Sequence, residues 1–125
     1  MHQIISSQNA PAPIGPYSQA TLAGNTLYIS GQIPIDPSSG SIKSGAIEEE
    51  THMVMRNLQA ILKEAGANFS NVVKCSIFVK DMNDFAKINE AYGTYFTNNP
   101  PARETVEVSR LPKDVRVEIS CIAVL

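Results

Sequence analysis

The chain has 125 residues, 43% of them hydrophobic and 18% charged, with a formal net charge of −2 at pH 7. That length fits one domain able to bury a core without staples. Lys and Arg are scattered rather than clustered, which argues against a nucleic-acid surface, and no apolar run approaches the roughly 18 residues of a membrane helix.

The opening MHQIISSQNAP has no long apolar core before polar residues return. No secretory leader is read there, and a soluble, cytoplasmic, reducing setting is expected. In APIGPYSQA (Ala12 to Ala20), Gly15-Pro16 fixes a bend and Tyr17 follows it. The phenol can close a pocket or pack beside the turn. NTLYISG, Asn25 to Gly31, reads as a strand rich in β-branched and aromatic residues. In ISGQIP, Ser30-Gly31 marks either a bulge or a place where backbone approaches another group closely.

A helix is predicted from about Ile47 to Ala65. Ile47, Thr51, Val54, Leu58, Ile61, Leu62 and Ala65 recur at three- and four-residue steps on one stripe. Glu48, Glu49 and Glu50 sit in its first turn, where the helix dipole favours negative charge. Gly66 can supply the left-handed C-terminal cap. NVVKCSIFVK, Asn71 to Lys80, is the next strand. A second helix starts near DMNDF, with Asp81 or Asn83 as N-cap and Phe85, Ile88, Tyr92 and Phe96 as its apolar stripe. NNPP ends it, because proline cannot continue the ladder.

Behind that stiff dipeptide comes ARETVEV, in which Arg103, Thr105 and Glu107 alternate with Val106 and Val108. In VRVEISCIAVL, Val115, Val117, Ile119, Cys121, Ala123 and Leu125 share one face. Arg116, Glu118 and Ser120 point the other way, together with Ile122 and Val124. Two helices cover one face of such a sheet, so the mixed face predicts cover by a partner subunit. The order of elements reads as α+β. Cys75 and Cys121 fall on apolar phases and read as buried free thiols. His2 and His52 are isolated, and no metal spacing, P-loop or G-x-G-x-x-G occurs.

The loop RLPKD suggests a hairpin between the last two strands, which would turn Arg103 and Thr105 to the same side as Glu118. Two readings stay open. Arg103 and Glu118 form a structural or inter-subunit ion pair, or a carboxylate clamp stands beside a water-orienting acid.

APIGPYSQA, YISGQIPIDP, VVKCSIFVKDMNDFAKINEAY, PPAR and VEVSRLPKDVRVEIS-IAV together resemble the RidA (YjgF) family over nearly the whole chain. The resemblance implies a chorismate-mutase-like α+β fold: a mixed sheet with two helices on one face, homotrimeric, with clefts between subunits. It implies hydrolysis of 2-imino acids and their enamine tautomers, such as 2-iminobutanoate and 2-iminopropanoate, to 2-keto acids and ammonia, with no cofactor or metal. The partner expected is a small imino or keto acid, not nucleic acid or membrane.

By the same resemblance, Arg103 matches the family's carboxylate-binding arginine and Glu118 its water-positioning glutamate. Thr105, where cysteine is frequent, matches the residue whose backbone carbonyl holds the water. Tyr17, Ser30, Gly31, Phe85 and Asn89 match residues around the cleft. Ser120 departs from the family's second acid, and the link from YF to PPAR is shorter than in similar members. A non-catalytic binder of small carboxylates is the alternative, and a ribonuclease or translation-inhibitor label is carried by some members.

Overall fold

Strict alternation in the last strand decides the layering. The computed structural model describes residues 1–125. It contains β1 (Gln3–Ile5), β2 (Ala20–Ala23), β3 (Thr26–Gln32), α1 (Ile47–Glu64), β4 (Val72–Val79), α2 (Phe85–Gly93), β5 (Ala102–Glu107) and β6 (Val117–Val124). The strands form one sheet in the order β1-β2-β3-β6-β4-β5, and every pairing is antiparallel except β4 with β5. Val117, Ile119, Cys121 and Ala123 of β6 are buried, and three of them stand opposite Val79, Ile77 and Cys75 of β4. Val54, Leu58, Ile61 and Leu62 of α1, with Ile88 and Tyr92 of α2, join them in one continuous core. Both cysteines are buried and free, as the alternation predicts.

The helix ends follow from local chemistry. Gly66 adopts φ +78°, the left-handed conformation that terminates α1. The first-turn Glu50 is buried rather than solvated, and Arg116 pairs with it while also donating to the Gly45 carbonyl at 2.5 Å. Ahead of α2, Asp81 accepts the Asn83 N–H at 2.8 Å over a short 3-10 turn. The helix stops at Gly93, short of the NNPP where its end was expected. Phe96 therefore lies beyond it, packed edge-on to Phe69.

The expected hairpin between β5 and β6 does not form. The α2 crossover makes β4 and β5 a parallel pair, while β6 inserts between β3 and β4. The physical reason is occupancy of the centre. β6 is apolar over all of one face and half of the other and suits an interior position, whereas the polar ARETVE suits an edge.

This register also overturns the expectation that Arg103 and Thr105 face the same way as Glu118. Arg103 lies beside Cys75 and Thr105 beside Ile77, on the helix side of the sheet. Glu118 lies beside Phe78, on the bare side. Val106, 41% exposed, is on that bare side too rather than in the core. The bare face carries Tyr28, Phe78, Ile122 and Val124, crossed by a Lys74–Glu104 ion pair at 2.9 Å. No helix of the chain is long and apolar enough to cross a membrane.

One buried polar side chain pins the strap that follows β3. Asn57, on α1, is 1% exposed and donates to the carbonyls of Ile35 (2.9 Å) and Ile33 (3.4 Å). Asn57→Leu leaves these carbonyls without that donor. It is expected to lower unfolding free energy by about 1–3 kcal/mol in urea titration.

Candidate functional site

The candidate residues divide between two clefts on opposite sides of the sheet. The first cleft, about 330 Å³, is lined by Ile14, Tyr17, Ser30, Gly31, Ile33, Pro112 and Glu118. Its base is a bulge in β3: between Ile29 and Gln32 the pairing with β6 takes an extra residue. Ser30 is held there from two sides. Its hydroxyl donates to the Ser18 carbonyl (2.6 Å) and its N–H donates to the Gln19 carbonyl (2.9 Å).

Gln19 is itself buried and ties down the N-terminal segment. Its side-chain oxygen accepts the Ser7 N–H at 2.6 Å, and its amide donates to the carbonyls of Ser7 (3.0 Å) and Pro11 (2.9 Å). The bend at Gly15-Pro16 closes with the Tyr17 N–H on the Gly15 carbonyl at 2.9 Å, and the phenol oxygen accepts from the Ile14 N–H. Tyr17 thus stands as an exposed wall of the cleft rather than a core aromatic.

Both readings of Ser30-Gly31 hold, because the bulge is where backbone and acid meet. A Cβ on Gly31 would lie 2.8 Å from Glu118 Cδ and closer still to Oε2, so only glycine leaves room for the carboxyl. Burial pushes the Glu118 carboxyl above the ordinary carboxylate range, with no donor to offset it. The opposite wall, Pro112, starts a turn in which Lys113 and Asp114 both hold φ +56°, clamped by Arg110 Nε on Asp114 at 2.7 Å.

The second cleft, about 430 Å³, lies between α2 and the edge strand β5, lined by Asn89, Tyr92, Gly93, Phe96, Pro100, Pro101 and Arg103. Arg103 Nη1 donates to Asn89 Oδ1 at 2.6 Å. The guanidinium carbon stands 5.1 Å from the Tyr92 ring centroid and 5.7 Å from that of Phe85. Phe85, Asn89 and Tyr92 are spaced four and three residues apart, so one helical face supplies the whole cradle. Every one of these contacts is neutral. No carboxylate is within ion-pair reach of Arg103.

Two residues away on the same side of β5, the Thr105 hydroxyl is buried without a hydrogen-bond partner. The Tyr92 hydroxyl lies buried beside the Cys75 thiol, with no oxygen or nitrogen partner, and burial raises the pKa of both groups. The structure therefore gathers Tyr17, Ser30, Gly31 and Glu118 in one cleft and Arg103 and Asn89 in the other, with Phe85 against the guanidinium and Thr105 two residues along the same strand face.

Sequence reasoning missed Tyr92 as a site residue, because a helical aromatic stripe reads as core. It also missed the apolar walls Ile14, Ile33 and Pro112, which carry no chemical signature. Neither cleft holds a histidine, and His52 Nδ1 instead meets Tyr95 Oη at 2.9 Å on the helix layer. No group of three His, Cys, Asp or Glu side chains is placed so that it could hold a metal ion.

A family model described as Endoribonuclease L-PSP matches residues 7–125. A RutC family protein of Pyrococcus horikoshii is 56% identical over 98% of this chain and 98% of its own. A rat protein named 2-iminobutanoate/2-iminopropanoate deaminase is 50% identical over 99% of this chain and 90% of its own. Among solved structures, Escherichia coli TdcF with bound serine superposes with a TM-score of 0.94 at 40% identity, covering 98% of both chains.

The packing of Glu118 on Gly31 makes a direct test of the first cleft. Gly31→Ala is expected to drive the carboxyl out toward water and lower its pKa toward the ordinary range, followed by carboxyl-carbon NMR titration. An unaltered titration curve would mean that the bulge does not set the environment of the acid.

Proposed function

The chain belongs to the endoribonuclease L-PSP family, also known as the RidA (YjgF) family, and from that membership we propose that it hydrolyses 2-imino acids to 2-keto acids and ammonia. The observation that carries the proposal is the neutral cradle of Arg103. Two rings and an amide fix the direction of the guanidinium without cancelling its charge, which leaves a planar, two-toothed donor for a small carboxylate.

The reaction needs little more than placement. Arg103 binds the substrate carboxylate, and the protonated imine carbon is already an electrophile. Glu118 takes a proton from a held water as its oxygen bonds to that carbon, giving a carbinolamine. The carboxyl returns the proton to nitrogen, and the C–N bond breaks as the hydroxyl proton passes back to the Glu118 carboxylate. The keto acid is left with ammonia, which carries that last proton away as ammonium. Orientation of this kind can contribute roughly 7–11 kcal/mol in favourable systems. The backbone carbonyl of Thr105 serves as the second holder of the water.

Arg103 and Glu118 stand on opposite faces of one sheet, so a single copy does not complete the site. A second copy, its Glu118 cleft laid over the first copy's β5 edge, supplies the missing half. The exposed apolar residues of the bare face support an association of this kind, and a homotrimer with three such seams is the assembly proposed. A cytoplasmic setting is proposed with it.

One observation favours a second reading, a binder of small carboxylates that does no chemistry: the related TdcF was solved with an amino acid, serine, bound. Saturable binding of 2-ketobutyrate without faster imine loss would select that reading. The ribonuclease label has less support, since the chain is slightly acidic and neither cleft offers an imidazole as acid or base.

Ammonia release from freshly generated 2-iminobutanoate is expected to show a KM raised about 10- to 100-fold in Arg103→Ala, not restored by Arg103→Lys; an unchanged KM removes the arginine's role. Glu118→Gln is expected to lower kcat by about 10²-fold or more.

The wild-type rate should fall with acid at an inflection above the usual glutamate value, because the proton acceptor must be ionised and burial raises its pKa. The sign for stability is opposite. A carboxyl whose pKa is higher folded than unfolded contributes stability below its unfolded pKa and loses it as pH rises through the folded one. Glu118→Gln is therefore expected to raise the thermal midpoint at pH 7 while it removes activity.

A further inference from the structure

A groove of about 660 Å³, larger than either cleft described above, lies on the helix layer between α1 and the N-terminal segment. Its volume falls within the range of roughly 300–1,000 Å³ typical of small-molecule pockets. Arg56, Gln59, Lys63 and Glu64 line it from α1, and Ser7 and Asn9 from the segment. Steps of three, four and seven residues put Arg56, Gln59 and Lys63 on one helical face, with the two cations two turns apart, roughly 10 Å along the axis. The opposite wall is fixed. Gln19 holds the Ser7 backbone by its N–H (2.6 Å) and its carbonyl (3.0 Å), and the Asn9 N–H donates to the Ser7 hydroxyl at 3.1 Å.

The charges in this groove have no partner. Neither Arg56 nor Lys63 takes part in an ion pair. Lys63 stands in the last turn of α1, where its charge complements the helix dipole. Arg56 is in mid-helix and has no such role; the group it acts on is the neutral Tyr95 phenol, raised in pKa by burial and lowered by the nearby guanidinium. The Glu64 carboxylate is also outside every ion pair. Ala60 is the one apolar residue of the lining, so an apolar molecule would find little to bury.

We propose that this groove binds a sugar phosphate. A phosphate monoester carries a charge of about −1.5 to −2 at pH 7, which suits two cations where one carboxylate would satisfy a single cation. Arg56 and Lys63 are exposed, with long side chains able to converge on one phosphate, the first as a planar fork and the second as a point charge. Gln59, Asn9 and Glu64 then supply what sugar hydroxyls require: amides that donate and accept, and a carboxylate that accepts. Glu64 repels a bare anion, so the hydroxyl-bearing part of the ligand belongs at its end of the groove. The lining offers no aromatic ring on which a nucleobase could stack. The site shares no residue with the Arg103 or Glu118 cleft.

Calorimetry with ribose 5-phosphate, glucose 6-phosphate, ribose and inorganic phosphate tests the site, on wild type, Arg56→Gln, Lys63→Gln and Arg103→Ala. All three side chains are exposed, so the substitutions leave the core intact. Wild type is expected to bind at least one sugar phosphate more tightly than inorganic phosphate, and ribose not measurably. Arg56→Gln and Lys63→Gln are each expected to weaken that binding about 10- to 100-fold, while Arg103→Ala leaves it unchanged. Binding of neither sugar phosphate, equal affinity for inorganic phosphate, or an affinity that neither α1 substitution moves overturns the site. Loss of binding in Arg103→Ala alone places the phosphate at the carboxylate anchor and overturns it as well. Imine hydrolysis is read separately, so failure here leaves the deaminase reading standing, and failure of that reading leaves this one.

Discussion

The pleat of the central strand is the constraint from which the rest follows. β6 sends Val117, Ile119, Cys121 and Ala123 to one side, where α1 and α2 cover them, and Glu118 to the other. Because β5 is in register with β4 through Cys75 and Ile77, Arg103 and Thr105 must join the helix side. A sheet has thickness, and no side-chain motion within one chain carries a guanidinium through it. The division of the candidate residues between two faces is therefore fixed by the same alternation that builds the core.

Both halves are held in conditions that folding alone does not favour. Glu118 sits against the bulge at Gly31 with its carboxyl partly desolvated and unbonded, a state that favours the proton over the charge. Arg103 stands in a setting of rings and one amide, where a carboxylate neighbour would have stabilised it more. Thr105 and Tyr92 add two buried hydroxyls without oxygen or nitrogen partners. Unsatisfied groups are uncommon in folded chains, and here they concentrate within a few residues of the Arg103 cradle. The rest of the fold offsets the cost, chiefly through one contiguous core and local clamps such as Gln19 and Asn57.

Much of this was legible in the sequence, and the failures have a common cause. The helical stripe of α1, the alternation of β6, the cap at Gly66 and the buried thiols were local patterns, and local patterns survive into the fold. The glycine of Ser30-Gly31 could be suspected of a close approach, although its neighbour Glu118 lies 87 residues away in sequence and could not be named from spacing. Strand partners were not local. RLPKD looks like a hairpin loop, but a 3-10 turn with two left-handed residues redirects the chain past β4. Resemblance to a family named Arg103 and Glu118 as candidates, whereas period counting turned them to one face. The counting was sound within each strand and wrong between strands, because relative facing depends on which neighbour supplies the register.

The same geometry bears on the blander possibility that Arg103 and Glu118 simply pair. Within one chain they lie on opposite faces. Across a seam between copies, Glu118 would still have to reach the guanidinium edge that the cradle leaves free. Asn89 already occupies one guanidinium nitrogen, and the rings of Phe85 and Tyr92 fix its plane. Glu118 is seated on Gly31 at the floor of a cleft of about 330 Å³ rather than extended from the surface. A salt bridge gains most when both side chains are free to close on each other; in the assembly proposed, two groups held back in separate recesses would leave a gap. A gap with a cation on one wall and a basic oxygen on the other suits a molecule that is anionic at one end and short of electrons at the next atom. A 2-imino acid, with its carboxylate beside a protonated C=N carbon, is built in that order.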